Sequence, residues 1–226
     1  RLEEVNCVNA NLLWSIYKVM NIKIFDEHFP YMIIDNYYDE EELRLIWEEL
    51  NFLSYPHKLR RATEDGGGAR DENTHELLKH NFYRYLDGIY TDRSLSNILT
   101  VNRKLFDDNC KILRQHPHWF FQNVVFNNDY TQVGYYEDND EYGQHWDWAT
   151  TTSLTWLYRE PKRFTGGDLF LGYEKIKVEC INNRTLIFPS MIRHSVNKIQ
   201  MQSEHQNKRL GRYVISQFGL SNIIKE

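Results

Sequence analysis

His145 and Asp147, two positions apart, are the residues whose types and spacing first suggest metal chemistry in this chain. On a β-strand their side chains would point to the same face, because strand side chains alternate with a period of two. Two histidines and one carboxylate can form a facial triad, which binds one face of an Fe(II) ion and leaves the opposite positions open. A His-x-acid pair alone is weak evidence, because the chain's 9 histidines and 32 acidic residues produce such pairs by chance.

Three further motifs follow the His145 pair in a fixed order. They are FTGGDLFL at 164–171, TLIFPS at 185–190 followed by His194, and GRYVIS at 211–216. His194 is the candidate third ligand. A 2-oxo acid could chelate two open metal positions and O2 could take the third. Arg212 can then bind the far carboxylate of 2-oxoglutarate through two parallel hydrogen bonds, and Ser216 shares its strand face.

The secondary structure predicted to position these residues changes along the chain from mainly helical to mainly β-strand. Asp39 and Glu42 fit a capping box ahead of apolar residues at helical spacing, which predicts a helix to about residue 53. A strand is predicted at 29–34, and Asp92 is predicted to cap a second helix with apolar residues 95–106 on one face. Short strands are predicted at 120–126, 131–136, 144–147, 153–158, 168–171, 176–178, 185–188 and 213–218.

Helices first and strands later predict an α+β fold. We expect a double-stranded β-helix, or jelly roll, with helices packed on one sheet and drawn mostly from the N-terminal half. We expect one domain over 1–226. It would comprise an N-terminal extension at 1–19 with a short amphipathic helix at 11–19, a helical and strand support at 20–118, and a catalytic jelly-roll core at 119–220. The polar, glycine-rich stretch 56–80 is interpreted as a lid loop, with an ordinary surface loop equally open.

The composition argues against several functional classes for this protein. The net charge of −5 argues against general binding to nucleic acid or membranes. Cys7, Cys110 and Cys180 contain no CxxC pair, which argues against a cysteine zinc site and fits a reducing compartment. No apolar run approaches the length of a membrane span. We therefore expect a soluble, cytoplasmic protein whose oligomeric state the sequence does not indicate.

The motif order HxD, GG(D/E)L, FPS-x3-H and R-Y-x-I-S closely resembles the prolyl 4-hydroxylase-like superfamily of 2-oxoglutarate/Fe(II) dioxygenases. More loosely, the helical first half, with ARDEN at 69–73 and LDGIY at 86–90, is similar to that of small microbial and viral members. The motif resemblance covers roughly residues 120–220. It implies that His145, Asp147 and His194 bind Fe(II). It also implies that Arg212 binds the C5 carboxylate of 2-oxoglutarate with help from Ser216.

Other residue roles also follow from the resemblance. Tyr135 stands ten residues before the first histidine, a place where the family commonly contacts the cosubstrate. Tyr158 and Thr155 are further cosubstrate candidates on a strand whose register could shift by one. Trp148 and Arg70 are candidate substrate contacts, although Trp148 is more simply interpreted as sheet packing. No catalytic residue is predicted beyond the metal site.

One spacing departs from the family pattern. Arg212 follows His194 by eighteen residues, more than is usual. We interpret the polar segment 200–209 as a hairpin insertion, which leaves Lys198 and Arg209 as alternative anion ligands. His116 and its neighbour His118 are interpreted as structural, because a proline separates them and no acid lies nearby.

The implied activity is hydroxylation of an unactivated C–H bond with release of succinate and CO2. The cofactors would be Fe(II), 2-oxoglutarate and O2, with ascorbate as a candidate accessory reductant. The resemblance favours a prolyl residue in a peptide or protein as the substrate, and a free amino acid or other small molecule stays open. Two other classes also stay open: a jelly-roll binding module without chemistry, and a Zn(II) hydrolase that would give Arg212 no role.

Overall fold

Two antiparallel sheets face each other, and helices cover the outer face of the larger sheet. The computed structural model describes residues 19–54, 58–65 and 67–221. The helix expected at 11–19 and most of the N-terminal extension therefore lie outside the described residues.

The strands cluster in the second half of the chain. In chain order they are β1 (Asn21–Phe25), β2 (Tyr31–Asp35), β3 (Arg60–Arg61), β4 (Phe82–Tyr85), β5 (Asn128–Tyr136), β6 (Tyr142–His145), β7 (Thr151–Leu157), β8 (Phe164–Thr165), β9 (Leu169–Leu171), β10 (Ile176–Val178), β11 (Arg184–Pro189), β12 (His194–Val196), β13 (Gln200–Met201) and β14 (Arg212–Leu220).

The helices are short apart from the first. They are α1 (Glu40–Leu53), α2 (Ala62–Asp65), α3 (Asn97–Val101), α4 (Asp107–Cys110) and α5 (Trp119–Asn123), with 3₁₀ turns at Leu86–Gly88, Arg93–Leu95, Asn102–Leu105, Leu113–Gln115 and Ser203–His205. Within the described ranges, none of the helices has the length and apolar character needed to cross a bilayer.

The sheets form two layers with a core on each side of the large sheet. The large sheet has the order β1-β2-β11-β7-β14-β5-β4-β3, the small sheet has the order β10-β9-β12-β6, and β13 pairs with β8. Leu154, Trp156 and Leu169 belong to the core between the sheets. Ile46 and Ile215 belong to the core between the large sheet and the helices. This architecture confirms the predicted jelly roll with helices on one sheet.

Helix α1 has both features predicted for it. Asp39 accepts a hydrogen bond from the Glu42 backbone at 2.8 Å, and Glu42 accepts one from the Asp39 backbone at 2.9 Å, so the capping box is complete. Ile46, Leu50 and Leu53 are buried at helical spacing. The helix thus anchors the outer core with its apolar face.

Removal of this cap should weaken the whole domain. Asp39→Ala should lower the free energy of unfolding by about 1 kcal/mol, because it leaves the Glu42 N–H without its acceptor. Asp39→Asn keeps an equivalent acceptor and should remain close to wild type. Urea unfolding of the three proteins measures the difference, and equal midpoints for Ala and wild type would contradict the role of the cap.

The prediction of a second helix after Asp92 is wrong, because this segment forms several short helical turns and not one continuous helix. Asp92 caps only a 3₁₀ turn. Ser96 has an extended backbone and is the N-cap of the separate helix α3. The Ser96 hydroxyl donates to the buried Glu49 carboxylate at 2.8 Å, and the Ile98 N–H donates to the same carboxylate at 2.8 Å. A buried polar contact with α1 therefore sets the start of α3, a constraint that apolar spacing does not reveal.

Residues 120–126 also differ from the prediction. The predicted strand is wrong, because Trp119–Asn123 forms α5. The Nδ1 atom of His118 accepts a hydrogen bond from the Phe120 N–H at 3.2 Å and caps this helix. A short apolar run cannot be assigned to strand or helix by periodicity alone.

Two irregular segments contain more structure than predicted. The stretch 56–80 includes β3, α2 and the isolated bridges Arg70↔Leu77 and Lys79↔Tyr142. In the stretch 200–209, β13 pairs with β8 and a 3₁₀ turn follows, so this segment does not form the predicted hairpin. Gly166, which follows β8, has a φ of 72°, and a Cβ there would lie 2.1 Å from the Lys198 carbonyl oxygen. Glycine thus permits the close approach that β8 and β13 need.

Candidate functional site

The small sheet brings His145, Asp147 and His194 together. Strands β6 and β12 are antiparallel neighbours, and His145 lies directly opposite His194 with 4.2 Å between ring centroids. The Asp147 carboxylate lies 3.7 Å from Nε2 of His145 and 3.4 Å from Nε2 of His194. One ligand atom from each residue lies within 4.8 Å of the other two. This donor set suits Fe(II), which the 2-His-1-carboxylate triad binds.

Both imidazoles are oriented for metal binding. Nδ1 of His145 lies 2.8 Å from the Gly143 carbonyl, and Nδ1 of His194 lies 3.0 Å from the Ile192 carbonyl. A carbonyl only accepts, so each Nδ1 carries a proton and each Nε2 faces Asp147. Burial, reinforced by the neighbouring His194, holds the pKa of His145 well below its ordinary value. His145 is therefore neutral at pH 7, as a ligand must be.

Asp147 is positioned by contacts that the sequence did not indicate. The predicted strand 144–147 ends at His145. The Asp147 N–H instead donates to the Ser190 carbonyl at 3.0 Å, and its carboxylate accepts from the Thr152 hydroxyl at 2.7 Å. Thr152 also contacts the Ser190 hydroxyl at 2.8 Å. Thr152 is thus a positioning residue for the carboxylate, and no spacing rule points to it.

Loss of the Thr152 hydroxyl should weaken metal binding. Thr152→Val keeps the shape but removes the hydrogen bond that orients Asp147, so we expect about 10–100-fold lower Fe(II) affinity. Thr151→Val is the matched control, because the Thr151 hydroxyl is buried without a hydrogen-bond partner among the described residues. Anaerobic Fe(II) titration distinguishes the two variants. Equal affinities would show that the hydroxyl does not support the ligand.

A cavity of about 380 Å³ contains the three candidate ligands and Arg212. Alternate residues of β14 line it, namely Arg212, Val214, Ser216 and Phe218. This is the predicted placement of Arg212 and Ser216 on one face, four residues apart.

Arg212 is 1% exposed, and its Nε and Nη1 atoms have no hydrogen-bond partner among the described residues. Its guanidinium carbon lies 4.6 Å from the ring centroid of Tyr136 and 5.8 Å from that of Trp156. Gly167 has a φ of 74°, and a Cβ there would lie 3.0 Å from the Arg212 side chain. A buried guanidinium with unpartnered donors fits the carboxylate of a bound anion such as 2-oxoglutarate.

The structure does not bring Tyr135 to the cavity. Tyr135 packs in the outer core, where its hydroxyl donates to Glu137 at 2.7 Å and accepts from the Gly211 N–H at 3.1 Å. Tyr136 lines the cavity instead, and its Cα pairs with that of Arg212. This corrects the expectation that Tyr135 contacts the cosubstrate. Side chains alternate along β5, so Tyr136 and not Tyr135 faces the cavity, and a count of ten residues back from His145 takes no account of the turn between β5 and β6.

Thr155 and Tyr158 do not line the cavity either. The Thr155 hydroxyl lies 2.7 Å from the Thr185 hydroxyl. The two residues pair across β7 and β11, and their side chains lie on the outer face of the large sheet. Tyr158 belongs to the inner core but packs edge-on against Phe164, with 5.4 Å between centroids. Leu154 supplies the cavity wall from this strand.

The predicted substrate contacts lie at the opening. Trp148 lines the cavity, is 54% exposed and lies 5.6 Å from the Tyr130 ring. Arg70 lines an adjoining groove of about 480 Å³ and donates to the His75 carbonyl at 3.0 Å. The alternative anion ligands Lys198 and Arg209 do not line the cavity, and Lys198 lies 3.6 Å from Glu141.

Neither a family model nor a curated protein sequence matches this chain. Solved structures do resemble it. A prolyl-4-hydroxylase from Pseudomonas putida has 12% identity and a TM-score of 0.55, with 84% of this chain and 92% of that chain covered. An oxidoreductase of the 2OG-Fe(II) oxygenase family from Burkholderia pseudomallei has 13% identity and a TM-score of 0.53, with 85% and 88% covered.

These likenesses show that the chain has the jelly-roll fold of the 2OG-Fe(II) oxygenases. The His145, Asp147 and His194 set lies within that fold.

Proposed function

We propose that the protein is an Fe(II)- and 2-oxoglutarate-dependent dioxygenase that hydroxylates an unactivated C–H bond and releases succinate and CO2. One observation carries the proposal: a single cavity is lined by three convergent metal ligands and by a buried arginine with unpartnered donors. A hydrolytic Zn(II) site would use the three ligands but would give the buried guanidinium of Arg212 no anion to bind.

Each side chain has a defined task in this proposal. His145, Asp147 and His194 would hold Fe(II) on one face and leave open positions toward the cavity. Arg212 and Ser216 would bind the far carboxylate of 2-oxoglutarate and fix its orientation. Fe(II) with 2-oxoglutarate and O2 supplies the oxidising chemistry when bound.

The substrate we favour is a prolyl residue in a peptide or protein. Two observations support this choice. The fold resembles that of the Pseudomonas putida prolyl-4-hydroxylase. The cavity also opens beside two exposed aromatic rings, Trp146 and Trp148, which are 53% and 54% exposed and could pack against a pyrrolidine ring.

Turnover tests the proposal directly. The protein is incubated with Fe(II), 2-oxoglutarate, ascorbate and O2, with or without proline-containing peptides, and succinate is quantified. We expect succinate only when Fe(II) and O2 are both present, and a mass gain of one oxygen atom in the accepted peptide. Hydrolytic activity that needs neither O2 nor 2-oxoglutarate would overturn the proposal.

A further inference from the structure

The inner face of the large sheet continues past the cavity to the protein surface. Phe218 on β14 lines the cavity, and its register partner on β5 is Tyr130, which does not line it. Tyr130 shares its face of β5 with the cavity residues Gln132 and Tyr136, because side chains alternate along a strand. Its side chain is 37% exposed. Tyr130 and Phe218 therefore form a row that runs from the cavity to solvent.

The ring of Trp148 joins this row. It lies 5.6 Å from the Tyr130 ring and 6.2 Å from the Phe218 ring, with an interplanar angle of 29° to the latter. The Trp148 side chain also lies beside the Tyr85 hydroxyl, yet it is 54% exposed. We call Tyr130, Trp148 and Phe218 the aromatic platform. Contiguous exposed aromatic rings mark binding surfaces, and rings held by their neighbours lose little conformational freedom when a ligand binds.

The position of the aromatic platform indicates what would occupy it. Trp148 directly follows the candidate ligand Asp147, and both line the cavity. The reacting side chain of a substrate must enter this cavity. Consecutive residues of a polypeptide lie about 3.8 Å apart, so the next residue of a peptide would lie at the mouth, beside the outer part of the platform. A free amino acid has no such neighbour and would leave Tyr130 uncovered.

The chemistry of the aromatic platform selects the kind of neighbour. Its three side chains carry no charge, so they offer an apolar side chain contact area and offer an ion no partner. We propose that the platform binds a large apolar side chain next to the oxidised residue. The substrate is then a polypeptide with an aromatic or large aliphatic residue beside its reactive position. This inference rests on the proposed function and adds a sequence preference to its substrate class.

The test compares short peptides with a central proline that differ in one neighbour only. The neighbour is Ala, Phe or Glu, placed either before or after the proline. Succinate release by the Fe(II)-loaded protein gives kcat/KM for each peptide, and calorimetry without O2 gives its Kd. We expect Phe in one of the two positions to raise kcat/KM roughly 10–100-fold over Ala. Glu should give no increase over Ala in either position.

Variants of the aromatic platform locate the effect. Tyr130→Ala and Trp148→Ala should each reduce the ratio of kcat/KM between the Phe and Ala peptides, mainly through a higher KM for the Phe peptide. Tyr130→Phe should retain the ratio because it keeps the ring. Trp119→Ala is the matched control, since Trp119 is 69% exposed, lies on α5 and does not line the cavity. It should show the wild-type ratio.

Two kinds of result would overturn the inference. Equal kcat/KM values for the Ala, Phe and Glu peptides contradict it in the wild-type protein alone, whether or not a variant folds. A preference for Phe that persists in both Tyr130→Ala and Trp148→Ala would place the recognition elsewhere. Anaerobic 2-oxoglutarate binding to the Fe(II) protein is tested first. Its absence overturns the proposed function, whereas its presence with no peptide bound or oxidised overturns only this inference.

Discussion

Arg212→Met should weaken 2-oxoglutarate binding by roughly 30-fold to a few thousandfold, because truncation of one partner in a buried charged pair costs about 2–5 kcal/mol. Methionine fills similar space but offers the cosubstrate carboxylate no donor. Calorimetric titration of the Fe(II)-loaded protein with 2-oxoglutarate, without O2, measures the affinity. The 2-oxoglutarate dependence of succinate release should shift in the same direction.

The same variant should not destabilise the protein without cosubstrate. Nε and Nη1 of Arg212 have no hydrogen-bond partner among the described residues, so the loss of these two donors removes no hydrogen bond there, although the guanidinium also contacts Tyr136 and Cys180. Replacement of a buried charge by an apolar side chain is often neutral or stabilising. A fall in the free energy of unfolding with unchanged 2-oxoglutarate affinity would make Arg212 structural. Lys198→Met and Arg209→Met should leave the affinity unchanged, and weakening by either would reassign the anion ligand.

His194→Ala and Asp147→Ala should each abolish stoichiometric Fe(II) binding and, with it, succinate release. Each removes one of three ligands from a site whose ligand atoms lie within 4.8 Å of one another. Two remaining ligands no longer form the facial triad. Native mass spectrometry of anaerobically loaded protein measures the bound iron. Full iron content and turnover in both variants would contradict the assignment.

His116→Ala separates loss of a ligand from loss of the fold. His116 is buried, its Nε2 lies 3.0 Å from the Phe25 carbonyl, and its Nδ1 accepts from the His118 N–H at 3.1 Å. The variant should therefore unfold at lower urea concentration than wild type yet still bind iron. His194→Ala should show the opposite pattern, with iron lost from a folded protein.

The sequence was informative wherever local spacing determines position. The capping box of α1 involves residues three positions apart, so the chain itself specifies it. Arg212 and Ser216 lie on one strand face because four residues are two full strand periods. His145 and His194 were predicted as partners from motif order, and the β6–β12 register places them opposite each other.

Sequence reasoning failed where a long-range contact decides the outcome. The choice between Tyr135 and Tyr136 depends on the pairing of β5 with β14, and the helix break at Ser96 depends on the buried carboxylate of Glu49. Thr152 acts on Asp147 through a turn that the sequence did not define.

The most direct test of the proposed dioxygenase site is anaerobic titration of the Fe(II)-loaded protein with 2-oxoglutarate, followed by visible absorption. A weak metal-to-ligand charge-transfer band is expected when the 2-oxo acid chelates the iron. The band should appear in wild type, be absent from His194→Ala, and need much higher 2-oxoglutarate in Arg212→Met. Iron that binds stoichiometrically but gives no band with saturating 2-oxoglutarate would contradict the assignment and favour a binding module or a hydrolase.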